Sequence, residues 1–223
     1  MQKIKVIVST KNLLNNQKQL LPNANFNIIE SDFIETKVID FDVKNINQIL
    51  IFTSQNAVNS ILDHPEIKTL KLKTTFCVGL KTKALLQENG FKVETYTSYA
   101  EDLSEIISLI YADETFTFFS GTLRRDTLPD ALTENGIRFN EIQVYETVLT
   151  PKKIDIKPDG ILFFSPSAVE SYLKMNTIQN EICFCIGHTT AQILENKKVK
   201  NIIIANTPSV ENVIYEVLEY YNH

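Results

Sequence analysis

Residues 50–58 read LIFTSQNAV and residues 162–169 read LFFSPSAV. Each is an apolar run of β-type residues that stops at a serine and continues as small residues able to open a helix. Working outward, CVGLKT at 77–82 matches CIGHTT at 185–190, and TSYAEDL at 97–103 matches TPSVENV at 207–213. Ser54 and Ser165 stand 111 positions apart, Gly79 and Gly187 108, and Thr97 and Thr207 110. Three blocks in one order at nearly one offset describe a chain with two similar α/β halves.

Runs rich in β-branched and aromatic residues predict strands at 3–9, 26–30, 37–43, 49–53, 75–78, 91–96, 115–119, 139–149, 160–164, 182–186 and 201–205. Helical patterns lie between most of them, at 55–62, 80–89, 101–111, 124–135, 166–174, 189–196 and 209–222. Gly90 and Gly136 read as the residues that close helices just before the next strand. The alternation predicts parallel sheets covered on both faces. The halves are not simply consecutive, because 26–43 and 139–151 have strand character without helix. If the first strand belongs with the C-terminal half, the chain crosses between domains twice. The expected architecture is two similar doubly wound parallel-sheet domains joined by a two-stranded linker, the first domain discontinuous. Residues 1–33 and 151–223 form that first domain, 40–139 the second, and 34–39 and 140–150 the linker strands. A cleft between the domains would receive the loops at the carboxyl ends of both sheets, where open α/β sheets bind ligands.

Composition narrows the function. Hydrophobic residues make up 43% and charged residues 22%, as in ordinary globular proteins. No apolar run approaches the roughly 20 residues that span a bilayer, and the start MQKIKVIVST lacks a cleavable-signal layout. A cytoplasmic protein is expected. The net charge of −5 with scattered Lys and Arg argues against a nucleic-acid surface, and it means that an anionic ligand must be held by specific donors. Cys77, Cys183 and Cys185 sit in apolar runs and read as buried thiols. The other two histidines besides His188 are His64, in LDHPE, and the terminal His223, a poor basis for a metal centre. There is no P-loop and no GxGxxG pattern, and no Ser-His-Asp set or Cys nucleophile can be assembled.

The hydroxyl-ended strands carry the candidate site. In Thr53-Ser54-Gln55-Asn56, Ser54 or Asn56 is placed to cap a helix and leave backbone N–H groups for an anion. Ser165-Pro166-Ser167 repeats the layout, with Pro166 suited to a first helical turn. Gly79 and Gly187 open the next loops, with Thr82, Thr189 and Thr190 as hydroxyl donors, and Ser120-Gly121-Thr122 ends a further strand. One such loop is more often a structural cap; two symmetric sets favour a shared anion cleft. Arg124 and Arg125 read either as a solvated pair with an acidic partner or as a carboxylate contact. Tyr145, in the extended QVYET stretch assigned to the linker, reads either as packing or as chemistry.

Taken in order, LIFTSQNAV, CVGLKTKALLQENGF, SGTLRRDTLPDALTENGI followed by VYET, LFFSPSAV, CIGHTTAQIL and ANTPSVENVI resemble the successive motifs of the uroporphyrinogen-III synthase family from about residue 3 to 220. The resemblance implies two α/β domains with a two-stranded linker and a cofactor-free, monomeric enzyme of tetrapyrrole synthesis. Its substrate would be hydroxymethylbilane, a linear tetrapyrrole with eight carboxylates, cyclised with inversion of ring D through a spiro intermediate. It also implies no nucleic-acid, membrane or metal partner, and a transient contact with the preceding pathway enzyme. By position, Tyr145 matches the favoured general acid. Thr53, Ser54, Asn56, Gly79, Thr82, Ser120, Gly121 and Arg125 match substrate-binding positions of one domain. Ser165, Ser167, Gly187, Thr189 and Thr190 match those of the other. The family's usual TRP appears as Thr10-Lys11-Asn12, so Lys11 stands where a bidentate Arg is common, and His188 stands where Pro is frequent. The competing reading is a non-catalytic tetrapyrrole- or anion-binding module with the same fold. A tandem receiver-like signalling protein would need a phosphoacceptor Asp at a strand end, where this chain has Ser and Thr.

Overall fold

The computed structural model describes residues 4–21 and 25–222. Residue 3 of the first expected strand and His223 lie outside the described residues. The chain divides into two compact units, Met1–Glu35 with Val148–His223, and Thr36–Thr147.

In the first unit, β1 (Lys5–Ser9), β2 (Phe26–Glu30), β9 (Gly160–Phe163), β10 (Ile182–Cys185) and β11 (Ile202–Ile204) form one sheet in the order β11-β10-β9-β1-β2. Every pair in it is parallel. In the second unit, β3 (Ile34–Val38), β4 (Ile49–Phe52), β5 (Thr74–Val78), β6 (Lys92–Thr97), β7 (Thr115–Gly121) and β8 (Arg138–Leu149) are ordered β3-β8-β7-β4-β5-β6. The pairs from β8 through β6 are parallel. The connecting helices are α1 (Asn15–Lys18), α2 (Gln55–Ile61), α3 (Ile67–Leu70), α4 (Leu80–Glu88), α5 (Ala100–Ile110), α6 (Thr127–Glu134), α7 (Pro166–Leu173), α8 (His188–Asn196) and α9 (Val210–Asn222).

The central strands are apolar throughout because helices cover both faces. All four residues of β4 (ILIF) and of β9 (GILF) are buried. Alternate side chains feed opposite faces. In the second unit Leu50, Phe52, Cys77 and Phe119 pack with α2 and α4, while Ile49, Ile51, Phe76, Phe116 and Phe118 pack with α5 and α6. In the first, Ile7, Leu162 and Phe184 meet α9, and Val8, Ile161, Phe163, Cys183 and Cys185 meet α7 and α8. Each buried Phe or Ile contributes about 1.5–3 kcal/mol of transfer free energy.

The strand orders expose a relation beyond simple repetition. Counting from β4, the second unit runs 5-4-1-2-3 across β8-β7-β4-β5-β6. Counting from β9 and continuing through the chain start, the first unit runs 3-2-1-4-5 across β11-β10-β9-β1-β2, which is the same order read from the other edge. The units are therefore circular permutations of one doubly wound sheet, with β9 matching β4 and β1 matching β7. The order reverses between β4 and β7 and between β9 and β1. Such a switch point leaves a crevice at the strands' carboxyl ends.

The linker strands differ from expectation. Phe33 pairs with Thr150 and Ile39 with Val144 through backbone bonds of 3.0 and 3.2 Å, so one strand descends as the other rises. Yet β8 also pairs with β7 from Arg138 to Tyr145, so the stretch at 140–150 is a sheet strand for half its length. The strand expected at 37–43 ends at Val38. Beyond it, Asp42 accepts the Lys44 N–H at 2.8 Å in a turn, while Phe41 and Val43 still pack on the core. The helix expected from 124 begins at Thr127, because Arg124 N–H bonds back to Gly121. Gly90 and Gly136 close α4 and α6 at φ of +82° and +68°, conformations that favour glycine.

Candidate functional site

The repeated loops take one shape. Ser54 caps α2 with φ −150° and ψ 149°, and its Oγ accepts from Ala57 N–H at 3.1 Å. Ser165 caps α7 with φ −163° and ψ 158°, and its Oγ accepts from Ala168 N–H at 3.1 Å. Both caps stand at switch points. What else each oxygen meets differs: Ser165 Oγ lies 3.1 Å from Ser167 Oγ, whereas Ser54 Oγ lies 3.1 Å from Tyr145 Oη.

Tyr145 starts two strands away from Ser54, on β8, with β7 between. Its ring reaches across β7 at Gly121. A Cβ on residue 121 would lie 2.8 Å from the ring's Cε1 and closer still to Cζ and Cε2, inside van der Waals contact. The sheet register slips between Ser120 and Gly121, which brings Gly121 opposite Tyr145 rather than its neighbour. Thr122 N–H donates to the Tyr145 carbonyl at 3.1 Å and fixes the strand end. The ring also packs on the core cluster that contains Phe52 and Phe119. Tyr145 is thus a residue of the second unit's switch point.

The loop after β7 is braced from behind. Glu141 accepts from Arg124 Nε at 2.6 Å and from the guanidinium's other arm at 2.9 Å, and from Ser120 Oγ at 2.5 Å. Arg124 also pairs with Asp126. The Arg124 guanidinium holds the Glu141 carboxyl below the usual carboxylate range, against the pull of partial burial and with help from the Ser120 hydroxyl. Of the two readings of the arginine pair, Arg124 takes the structural one, and Arg125 is the exposed member.

The structure places the expected donors unevenly. Ser120 is buried and its hydroxyl is committed to Glu141. Gly121 gives space to Tyr145 rather than to a ligand. Thr82 and Thr190 are buried residues, 5% and 1% exposed. They occupy the inward side of the first turns of α4 and α8, which is why the matching Lys81 and Thr189 are exposed. Asn56 is also exposed, and Thr53, Ser165, Ser167 and Gly187 are partly so. Gly79 adopts φ +91° as it caps α4, and its N–H bonds to Thr97 O at 2.8 Å. Lys11 follows β1 at the first unit's switch point, its Nζ 5.9 Å from the Phe164 ring centre. Sequence reading missed Glu141, although a Glu in the strand after an Arg-rich loop is the available signal.

Burial pushes the Cys77 thiol up to about 11 and the Cys185 thiol up to about 12, so neither is a ready nucleophile. Among the described residues no three His, Cys, Asp or Glu side chains are grouped to hold a metal ion, and no helix is long and apolar enough to cross a membrane.

Comparison with known proteins adds a family. A family model described as uroporphyrinogen-III synthase HemD matches residues 17–214. A uroporphyrinogen-III synthase of Chlorobaculum parvum is 28% identical in an alignment 196 positions long that covers 76% of this chain and 79% of that one. Among solved structures, uroporphyrinogen-III synthetase of Helicobacter pylori superposes with a TM-score of 0.77 at 22% identity, covering 97% of this chain and all of the other. A mutant uroporphyrinogen III synthase of Thermus thermophilus gives 0.64 at 13% identity, with 98% of both chains covered. At these identities the two structures speak for the fold.

Proposed function

The chain belongs to the uroporphyrinogen-III synthase family, and from that premise we propose how its residues carry out the reaction. The protein dehydrates and cyclises hydroxymethylbilane with inversion of ring D, giving uroporphyrinogen III for heme synthesis. In our reading it is a carbon–oxygen lyase that uses Tyr145 as general acid. The observation that carries this assignment is the Tyr145 hydroxyl standing 3.1 Å from Ser54 at the end of the switch-point strands.

The chemistry asks for little more than a weak acid and a firm grip. The pyrrole nitrogen's electron pair assists departure of the hydroxyl, so a phenol that protonates the leaving oxygen suffices, and no step calls for a cofactor. The harder task is to close the inverted isomer when the uninverted one forms spontaneously, which is a matter of holding ring orientation. A ligand with eight carboxylates meets a chain of net charge −5, so local donors must hold it. We assign that work to Lys11, Thr53, Asn56, Arg125, Ser165, Ser167 and Thr189, with the backbone N–H group at Gly187. We further place the enzyme in the cytoplasm as a monomer that meets the preceding pathway enzyme transiently, since a substrate that cyclises by itself gains from prompt transfer.

The test is a product-isomer assay. Purified protein is mixed with freshly generated hydroxymethylbilane, the products are oxidised to porphyrins, and isomers I and III are separated. Dominant isomer III from the wild type, with turnover reduced severalfold or more in Tyr145→Phe at unchanged stability, is expected. Isomer I alone at the spontaneous rate would leave a binding module, and a Tyr145→Phe variant at full rate would remove the acid role.

A further inference from the structure

The two capping serines are built alike, yet Ser54 alone touches a phenol. Its oxygen has one proton and two lone pairs. One lone pair is taken by Ala57 N–H at 3.1 Å, and the Tyr145 Oη lies at 3.1 Å on another side. Tyr145 comes from β8, and only the missing side chain at Gly121 lets its ring lie over β7 and reach that oxygen. The contact therefore depends on three strands: β4 supplies the serine, β7 the gap and β8 the phenol.

We propose that Ser54 and Gly121 are positioning residues for Tyr145, Gly121 by admitting the ring across β7 and Ser54 by donating its hydroxyl proton to Oη, so that the phenol's own proton points to substrate. The inference rests on Tyr145 being the general acid. With Ser54 as donor, the bonds run in one direction, from Ala57 N–H to Ser54 Oγ, then from Ser54 O–H to Tyr145 Oη. When the substrate's C–O bond breaks, its electron pair leaves with the oxygen, which takes the Tyr145 proton and departs as water. The pyrrole nitrogen's lone pair fills the vacancy at carbon, and a phenolate remains. That phenolate keeps the Ser54 hydrogen bond, now to a charged acceptor and therefore stronger. The proton shed from the pyrrole α-carbon as the macrocycle closes restores the phenol, and the net change is loss of one water.

This reading separates Ser54 from the substrate donors. A serine that binds a carboxylate acts on KM; one that stabilises the phenolate acts on kcat. Ser54→Ala is expected to lower kcat for isomer III about tenfold with KM within about twofold, equivalent to about 1.4 kcal/mol. In a Tyr145→Phe background the same substitution is expected to have less than about a twofold effect, because the residues act as one unit. Ser54→Thr keeps the hydroxyl, and with it the helix cap, and is expected to restore most of kcat; the Tyr145→Phe background, in which loss of the cap alone would still slow the enzyme, separates the two roles. Gly121→Ala is expected to match Tyr145→Phe in kcat. The inference is overturned by a Ser54→Ala defect confined to KM, by equal losses in both backgrounds, or by Ser54→Thr as slow as Ser54→Ala. It is also overturned by a folded Gly121→Ala enzyme with full kcat. If instead Tyr145→Phe alone keeps full activity, the acid assignment itself has failed, an outcome the first arm of the cycle reads separately.

Discussion

Replacing Glu141 by alanine removes a carboxylate that answers three donors at once, and the structure sets the size of the loss. The bidentate bonds to Arg124 measure 2.6 and 2.9 Å and the bond from Ser120 2.5 Å. The Arg124 and Glu141 side chains are 23% and 21% exposed, so the pair lies between a surface bridge, worth about 0–1 kcal/mol, and a buried one, whose rupture costs about 3–5 kcal/mol. Arg124 keeps Asp126, which softens its loss. Ser120 is 2% exposed, and its orphaned hydroxyl adds about 1 kcal/mol. The expected destabilisation is about 2–3 kcal/mol at neutral pH. For the 112 residues of Thr36–Thr147 this lowers the melting temperature by roughly 6–12 °C, read by calorimetry or circular dichroism. The sign with pH follows from the depressed Glu141 carboxyl. Its contribution is present above the ordinary glutamate value of 4.5 and fades as pH falls through the lower folded value. The gap between wild type and Glu141→Ala is therefore expected to narrow on acidification below about 4.5. A gap under about 2 °C at pH 7, or one that widens in acid, refutes the argument that this carboxylate braces the loop after β7.

Two further outcomes are expected. Ser165→Ala removes the α7 cap and is expected to cost about 1 kcal/mol of stability, measured by urea unfolding; no change would mean that the Ala168 N–H finds another acceptor. Native protein at pH 8 is expected to leave Cys77, Cys183 and Cys185 unlabelled by a thiol reagent over the time in which unfolded protein reacts fully, since all three are buried and their thiols are pushed up; rapid labelling of any of them would refute that burial.

Much of the fold is legible in the chain itself. Apolar runs such as ILIF and ICFC mark strands covered on both faces, and the repeat from Ser54 to Ser165 marks the two units. The two short helices, Asn15–Lys18 and Ile67–Leu70, escape because a single turn carries no period. The candidate site is legible in type but not in detail. That serines cap helices at both switch points follows from pattern, whereas the Tyr145 contact depends on a register slip between Ser120 and Gly121 that no periodicity encodes. QVYET reads as extended chain, and extended chain does not say whether it links or pairs. Thr82 and Thr189-Thr190 show the same limit, because which hydroxyl faces inward depends on how a helix is rotated on its sheet. Arg124 and Arg125 differ by one position, and only the partner strand's Glu141 decides which is held.

The permuted arrangement has a consequence for how the chain comes into being. Ser9 of β1 pairs with Leu162 of β9, so the first sheet strand made must wait for about 150 residues of further synthesis before its inner neighbour exists. At roughly 5–20 residues per second, that delay is on the order of ten seconds on the ribosome. During it, the uninterrupted stretch Thr36–Thr147 emerges whole and has every partner that its own parallel sheet needs. The nascent protein is thus expected to carry one finished sheet while β1 and β2 stand with the apolar residues Ile7, Val8 and Phe26 uncovered. The half that begins the chain is the half that folds last.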